Sequence, residues 1–255
     1  RLAALLTASG LDICVAGELE HCCGLPFYWK GNRQYFMHAA ASIARLFRES
    51  GAQRVITLSG SCLGAMRSKY PEYGVEPGVE VVHASEVLAE LLQKGRLKLK
   101  KKVNAGITYH DPCYLGRQSE PFVKQESEEK LALNLMTYTD PPRQVNRGAN
   151  GVYDPPRRLL RAIPGADFNE MYRIREYSFC CGGGGGAPEA FPGLAESAAL
   201  HRLEEARAVG ADVLATACSH CRAQFERAQE KLEADKRTRI ADVVDLVFEA
   251  SGLSE

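Results

Sequence analysis

The stretch "SFCCGGGGGAPEA" (178–190) places two adjacent cysteines directly before five glycines. Three more cysteines accompany this pair in the second half of the chain: Cys113, with 66 residues between it and Cys180, and the turn pair Cys218 and Cys221, with 36 residues between Cys181 and Cys218. Five thiols in one region exceed the four that a structural zinc site takes, and soft thiolates in such number are the ligands of iron–sulfur clusters. Gly182, Gly183 and Gly184 suit that chemistry, because a backbone without side chains can approach a bulky anionic cluster and turn successive N–H groups toward its sulfurs. The run lacks the Lys-Ser/Thr of a phosphate loop, and its formal fit to a dinucleotide fingerprint is what any polyglycine shows. "CSHC" (218–221) alone would read as a thioredoxin-like redox pair, but that leaves Cys113, Cys180 and Cys181 without a role. His220, inside that turn, is a candidate to hydrogen-bond a sulfur or donate a proton; the alternative is a turn residue facing water. His110 and Asp111 read as residues shaping the turn before Pro112.

The elements that must carry these residues occur twice. "HCCG" (21–24) is matched by "FCCG" (179–182), and "GAQRVITLSGSC", ending at Cys62, by "GADVLATACSHC", ending at Cys221. The offsets, 158 residues for Cys23 to Cys181 and 159 for Cys62 to Cys221, agree within one residue, as expected of an internal repeat. Each unit is expected to run from a strand into the cysteine pair, then through an amphipathic helix (34–50; 194–209), a strand (54–58; 212–217) and a helix leaving the cysteine turn. "VEVVHA" reads as a strand, "SEVLAELLQKG" as a helix with Ser85 as N-cap and Gly95 as its stop, "NAGITYHD" as the strand opening the second unit, and "DPPRRLLRAI" as a helix.

Strands alternating with helices imply α/β architecture: two pseudo-symmetric Rossmann-like domains with parallel sheets. The expected division is 1–102 and 103–255, at the basic run "KGRLKLKKK". Residues 118–150 break the grammar and read as an insertion that covers the site or docks a partner. In open α/β sheets ligands bind beyond the carboxyl ends of the strands, where three cysteine loops of the second unit can converge.

Bulk properties narrow the class. The 255 residues are 45% hydrophobic, enough for a sizeable core, and the 32 basic and 32 acidic residues cancel, so no positive field exists to hold nucleic acid. No apolar run approaches the roughly 20 residues of a membrane span, and "RLAALLTASG" lacks the features of a signal peptide, so the chain reads as soluble and cytoplasmic. It opens at Arg1 within an amphipathic helix and reads as part of something longer. Nine cysteines without an export signal argue for metal or redox chemistry rather than disulfides. Cys14, in "LDICVAG", reads as a small buried hydrophobe.

"HCCG…SGSC" and "YHDPCYLGR…SFCCGGGGG…ACSHC" together resemble the tandem CCG-domain proteins of the heterodisulfide reductase B/D-subunit type, over essentially the whole chain. The resemblance implies that Cys113, Cys180, Cys181, Cys218 and Cys221 ligate a noncubane [4Fe-4S] cluster at which a disulfide or related sulfur–sulfur substrate is reduced. It implies partners too: other iron–sulfur or flavin electron-transfer subunits, and a membrane-bound cytochrome subunit that would hold the protein peripherally at the membrane. The first unit departs from the pattern. Ser59 stands where Cys218 stands in the second unit, and the counterpart of Cys113 would fall before Arg1. Cys22, Cys23 and Cys62 remain as an incomplete set for a second iron–sulfur cluster or for zinc. Two alternatives stand beside the disulfide reductase: an electron-relay subunit for a hydroxy-acid (lactate or glycolate) or acyl-CoA dehydrogenase, and a zinc-stabilised assembly module without redox activity.

Overall fold

The computed structural model describes residues 1–142 and 145–254. Its strands are β1 (Arg54–Thr57), β2 (Glu80–His83), β3 (Ala105–Tyr109), β4 (Glu128–Ala132), β5 (Met136–Asp140), β6 (Ala166–Phe168), β7 (Val213–Thr216) and β8 (Arg239–Asp242). β1 and β2 form a two-stranded parallel sheet, and β6-β3-β7-β8 a four-stranded one, parallel throughout. Both are joined by crossover helices, so the mixed α/β class with parallel sheets holds.

The repeat is realised in two strand pairs. β1 begins at Arg54 and β7 at Val213, β2 at Glu80 and β8 at Arg239, each 159 residues apart. The helix leading into the first pair of strands is Arg33–Ser50, its counterpart Pro192–Ala208. Helical spacing explains their placement: Phe36, Ala40, Ile43, Ala44 and Phe47 form one buried stripe, and Ala195, Ala199, Arg202, Leu203 and Ala206 another. Asn32 accepts from Tyr35 N–H to start the first of these helices, and Gly51, at φ 67°, ends it. One hydrophobic core takes Phe36, Leu63 and Leu88 from before residue 102, and Ile107, Leu159 and Val247 from after it. A second cluster, including Met171, Leu203 and Phe225, lies with Cys181, Cys218 and Cys221.

Three local expectations change. No strand leads into either cysteine pair among the described residues; single 3-10 turns (Gly17–Leu19, Arg175–Tyr177) precede them. Ser85 is not the N-cap of its helix (Ala84–Gln93): His83 is, its ring accepting from Ser85 N–H while Glu86 accepts from His83 N–H. Cys14 is exposed rather than buried.

Within 118–150, β4 and β5 form an antiparallel hairpin whose tip carries Leu133 and Leu135, 90% and 84% exposed. Its base is tied down by the buried Glu120 carboxylate, which accepts from Gly148 N–H and Asn150 N–H. Arg143 and Gln144 of this stretch lie outside the described residues. No helix among the described residues is long and apolar enough to cross a membrane.

Candidate metal centre

Three loops at the carboxyl ends of the central sheet deliver the second-half cysteines. β3 ends at Tyr109 and passes through His110, whose N–H bonds Ala215 O at 2.8 Å, into the turn that carries Cys113. β7 ends at Thr216, and Cys218 is the extended N-cap residue of the helix Ser219–Gln229, with Cys221 in its first turn. The third loop, carrying Cys180 and Cys181, is held from behind: Asp111 accepts from Arg175 N–H at 2.8 Å, and Arg117 donates to Glu176 O and Ser178 O.

The five sulfurs form one continuous set. Cys180 shares hydrogen bonds with Cys113 and Cys181, Cys181 Sγ lies 3.0 Å from Cys221 Sγ, and Cys221 bonds Cys218. Cys181, Cys218 and Cys221 are each 2% exposed, Cys113 is half-buried and Cys180 is exposed, so the set has one open edge. Sulfur–sulfur hydrogen bonds split the titration. Bonds from Cys113 and Cys181 hold the Cys180 thiol far below its ordinary range, and a bond from Cys221 does the same for Cys218. Cys113, Cys181 and Cys221, the donors in those bonds, are pushed up. Thiols held this close lower one another's pKa in alternation, the pattern of a sulfur-rich set able to offer thiolate ligands to a cation.

The glycines contribute in a more specific way than side-chain clearance. Gly182 N–H donates to Cys180 Sγ and Gly183 N–H to Cys181 Sγ, both at 3.3 Å. Gly182 has φ 76°, and a Cβ there would lie 2.3 Å from Ala195 O; at Gly183 it would lie 2.6 Å from His220 O. Close approach is therefore to neighbouring backbone. Gly184 faces only the Trp29 ring, 3.7 Å from such a Cβ.

The first-unit cysteines gather separately. Cys23 is buried, with its pKa down to about 7 through the hydrogen bond from Cys62, which is pushed up in turn; Cys22 also bonds Cys23 but is exposed. Ser59 faces across the repeat, its Oγ 3.8 Å from Cys218 Sγ.

His220 stands between the two groups. Its Nδ1 lies 3.3 Å from Ser61 Oγ, a hydrogen bond with Cys218 raises its pKa, and its ring packs edge-on to Trp29 at 5.4 Å. Trp29 Nε1 donates to Tyr114 Oη at 2.6 Å, so a first-unit aromatic caps the loop that carries Cys113. Sequence patterns did not single out Ser61, Trp29 or Tyr114. The signal for Ser61 was present, since the 159-residue offset aligns it with His220. Asp111 does shape its turn, clamped by Arg157 at 2.6 and 2.8 Å. His110 does more: a ring nitrogen lies within 4.8 Å of both Cys181 Sγ and Cys221 Sγ, and burial lowers its pKa to about 3, keeping it neutral.

The family model described as cysteine-rich domain, CCG, matches residues 1–67 and 144–226. The chain is 32% identical over 255 residues to the D-subunit of dihydromethanophenazine:CoB–CoM heterodisulfide reductase from Methanosarcina acetivorans, covering 98% of this chain and 54% of that one. It is 30% identical over 248 residues to the probable iron-sulfur-binding oxidoreductase FadF of Bacillus subtilis (97% and 30% covered), and 27% identical over 256 residues to the EtfAB:quinone oxidoreductase of Syntrophomonas wolfei (98% and 31%). The chain spans about half the length of the heterodisulfide reductase relatives, and less of the others.

Proposed function

Because the chain belongs to the cysteine-rich CCG domain family, we propose that it is an iron–sulfur oxidoreductase subunit of heterodisulfide reductase type, organised as two units (1–102 and 103–255), which reduces a disulfide or related sulfur–sulfur bond. The observation that supports this reading is the convergence of Cys113, Cys180, Cys181, Cys218 and Cys221 from three loops into one sulfur set with an open edge at Cys180. The donor set fits the proposed group: soft thiols gathered from three loops, two backbone N–H groups already aimed at sulfur, and hydrogen bonds that lower the pKa of Cys180 and Cys218.

A noncubane [4Fe-4S] cluster held by these five residues would supply one-electron reduction and a Lewis-acidic iron for a substrate sulfur. The protein's own groups do the rest. Gly182 N–H and Gly183 N–H spread negative charge off two sulfurs. His220, with its pKa raised beside Cys218 and its ring held by Ser61 and Trp29, keeps a proton available for a departing thiolate at the junction of the two units. Electrons enter from partner subunits carrying flavin or iron–sulfur centres, with a membrane cytochrome as one such source; Cys22, Cys23 and Cys62 offer a second, smaller metal site.

Anaerobic purification followed by iron, zinc and acid-labile sulfide analysis, with EPR before and after thiol addition, tests the reading. Iron and sulfide in equal amounts, with an EPR signal that changes on adding thiol, is the expected result. Zinc without sulfide would replace it with an assembly module, and a thiol-insensitive cluster with an electron relay.

A further inference from the structure

We propose that His110 is a hydrogen-bond donor to the sulfur cage, with its tautomer fixed by the buried Arg202, and is not a metal ligand. The inference rests on the cluster reading above and concerns how the protein tunes that centre.

Arg202 is fully buried on the helix Pro192–Ala208, and its Nε donates to His110 Nδ1 at 3.2 Å, while its Nη1 pairs with Glu205. A guanidinium has only donors and keeps its proton in proteins. His110 Nδ1 must therefore present its lone pair to Arg202, and the proton of the neutral ring sits on Nε2. The ring is held in place by burial: the residue is 0% exposed and Phe225 packs edge-on at 4.9 Å.

Nε2 is buried and has no partner among the described residues. A buried N–H left without an acceptor keeps the full penalty of its lost hydration. Sulfur is an acceptor within reach, since a His110 ring nitrogen, Cys181 Sγ and Cys221 Sγ all lie within 4.8 Å of one another. That trio resembles a ligand set for a single ion, but ligation through Nε2 would need lone pairs on both nitrogens, an imidazolate, against the fixed Arg202 donor. The same N–H can bond sulfur of a bound cluster. Hydrogen bonds to cluster sulfur favour the more negative, reduced state and raise the reduction potential.

Two substitutions separate the roles. The side-chain amide of His110→Gln can place an N–H near the Nε2 position, whereas that of His110→Asn reaches only as far as Nδ1. In cluster-loaded protein, iron and sulfide content should be unchanged in both. The reduction equilibrium of His110→Asn should shift about tenfold toward the oxidised form, which is about 59 mV for a one-electron couple, and His110→Gln should recover most of that shift. Full loading with an unchanged potential in His110→Asn would overturn the inference and leave the cluster reading intact. Wild-type protein without iron would instead remove the cluster reading itself. Should His110→Asn fail to fold, pulsed EPR of reduced protein with 15N-labelled histidine in a His220→Gln background gives the answer: a weak nitrogen coupling with an exchangeable proton supports the donor role, and the strong coupling of a ligating nitrogen refutes it.

Discussion

Ser61 Oγ lies 3.5 Å from Cys218 Sγ and 3.3 Å from His220 Nδ1, so a hydroxyl from the first cysteine turn reaches into the second. The two turns also join through backbone, Gly60 N–H donating to Ala217 O at 3.3 Å. A Cβ on Gly60 would fall 2.8 Å from Leu115 Cβ and 3.0 Å from Leu115 N, in the loop that follows Cys113. Gly60→Val should therefore push the turns apart, costing about 1–3 kcal/mol in chemical denaturation, the range for overpacked cores, and should alter the EPR line shape of the second-unit centre. An unchanged spectrum would mean that the two turns are not coupled.

Removing a single sulfur should distinguish the gathered thiols from the rest. Cys181→Ala takes away the sulfur that bonds both Cys180 and Cys221, and should abolish iron retention. Cys14→Ser, at an exposed site, should leave iron, sulfide and spectrum as they are. Iron analysis of the two variants side by side checks both statements.

Arg157, 1% exposed, donates two hydrogen bonds to Asp111 and also pairs with Glu170. Asp111 in turn holds Arg175 N–H on the loop approaching Cys180. Arg157→Leu leaves a buried carboxylate without its cation, a loss of about 3–5 kcal/mol for a broken buried pair. Adding Asp111→Asn should recover part of it, because the orphaned charge is then gone. Urea midpoints of the single and double variants supply the comparison.

Asp242 ends β8 and caps the helix Val243–Ser251 by accepting from Val244 N–H, and burial pushes its pKa up to about 7 from an ordinary 3.8. The folded chain thus keeps this proton to higher pH than the unfolded chain. The associated stability is complete below about pH 4 and is lost as pH rises toward 7, by up to about 4 kcal/mol. Asp242→Asn keeps a capping oxygen and should flatten that slope. Denaturation midpoints between pH 4 and 8 measure it, and parallel slopes for both proteins would contradict the assignment.

Much of the architecture was legible in the chain. Helix boundaries, the strands β1, β2, β7 and β8 and the 159-residue repeat follow from periodicities of 3.6 and 2 and from turn residues, all local properties. The five second-half cysteines stood out because thiols in that number have few other uses, and the structure brings them together. Where local signals were weak, the outcome diverged: strands were expected to lead into each cysteine pair, yet 3-10 turns form there.

Tertiary structure alone decided the rest. Ser61 beside Cys218, Trp29 against Tyr114 and Arg202 against His110 join residues 157, 85 and 92 positions apart, and no periodicity specifies which loops face each other. The tautomer of His110 is settled by an arginine whose own helix buries it, and the packing of that helix against the glycine run sets where it lies. Sequence determined which groups exist and which elements carry them. Folding determined which donor meets which acceptor, because burial forces each polar group to find its partner among whatever the packed elements bring near.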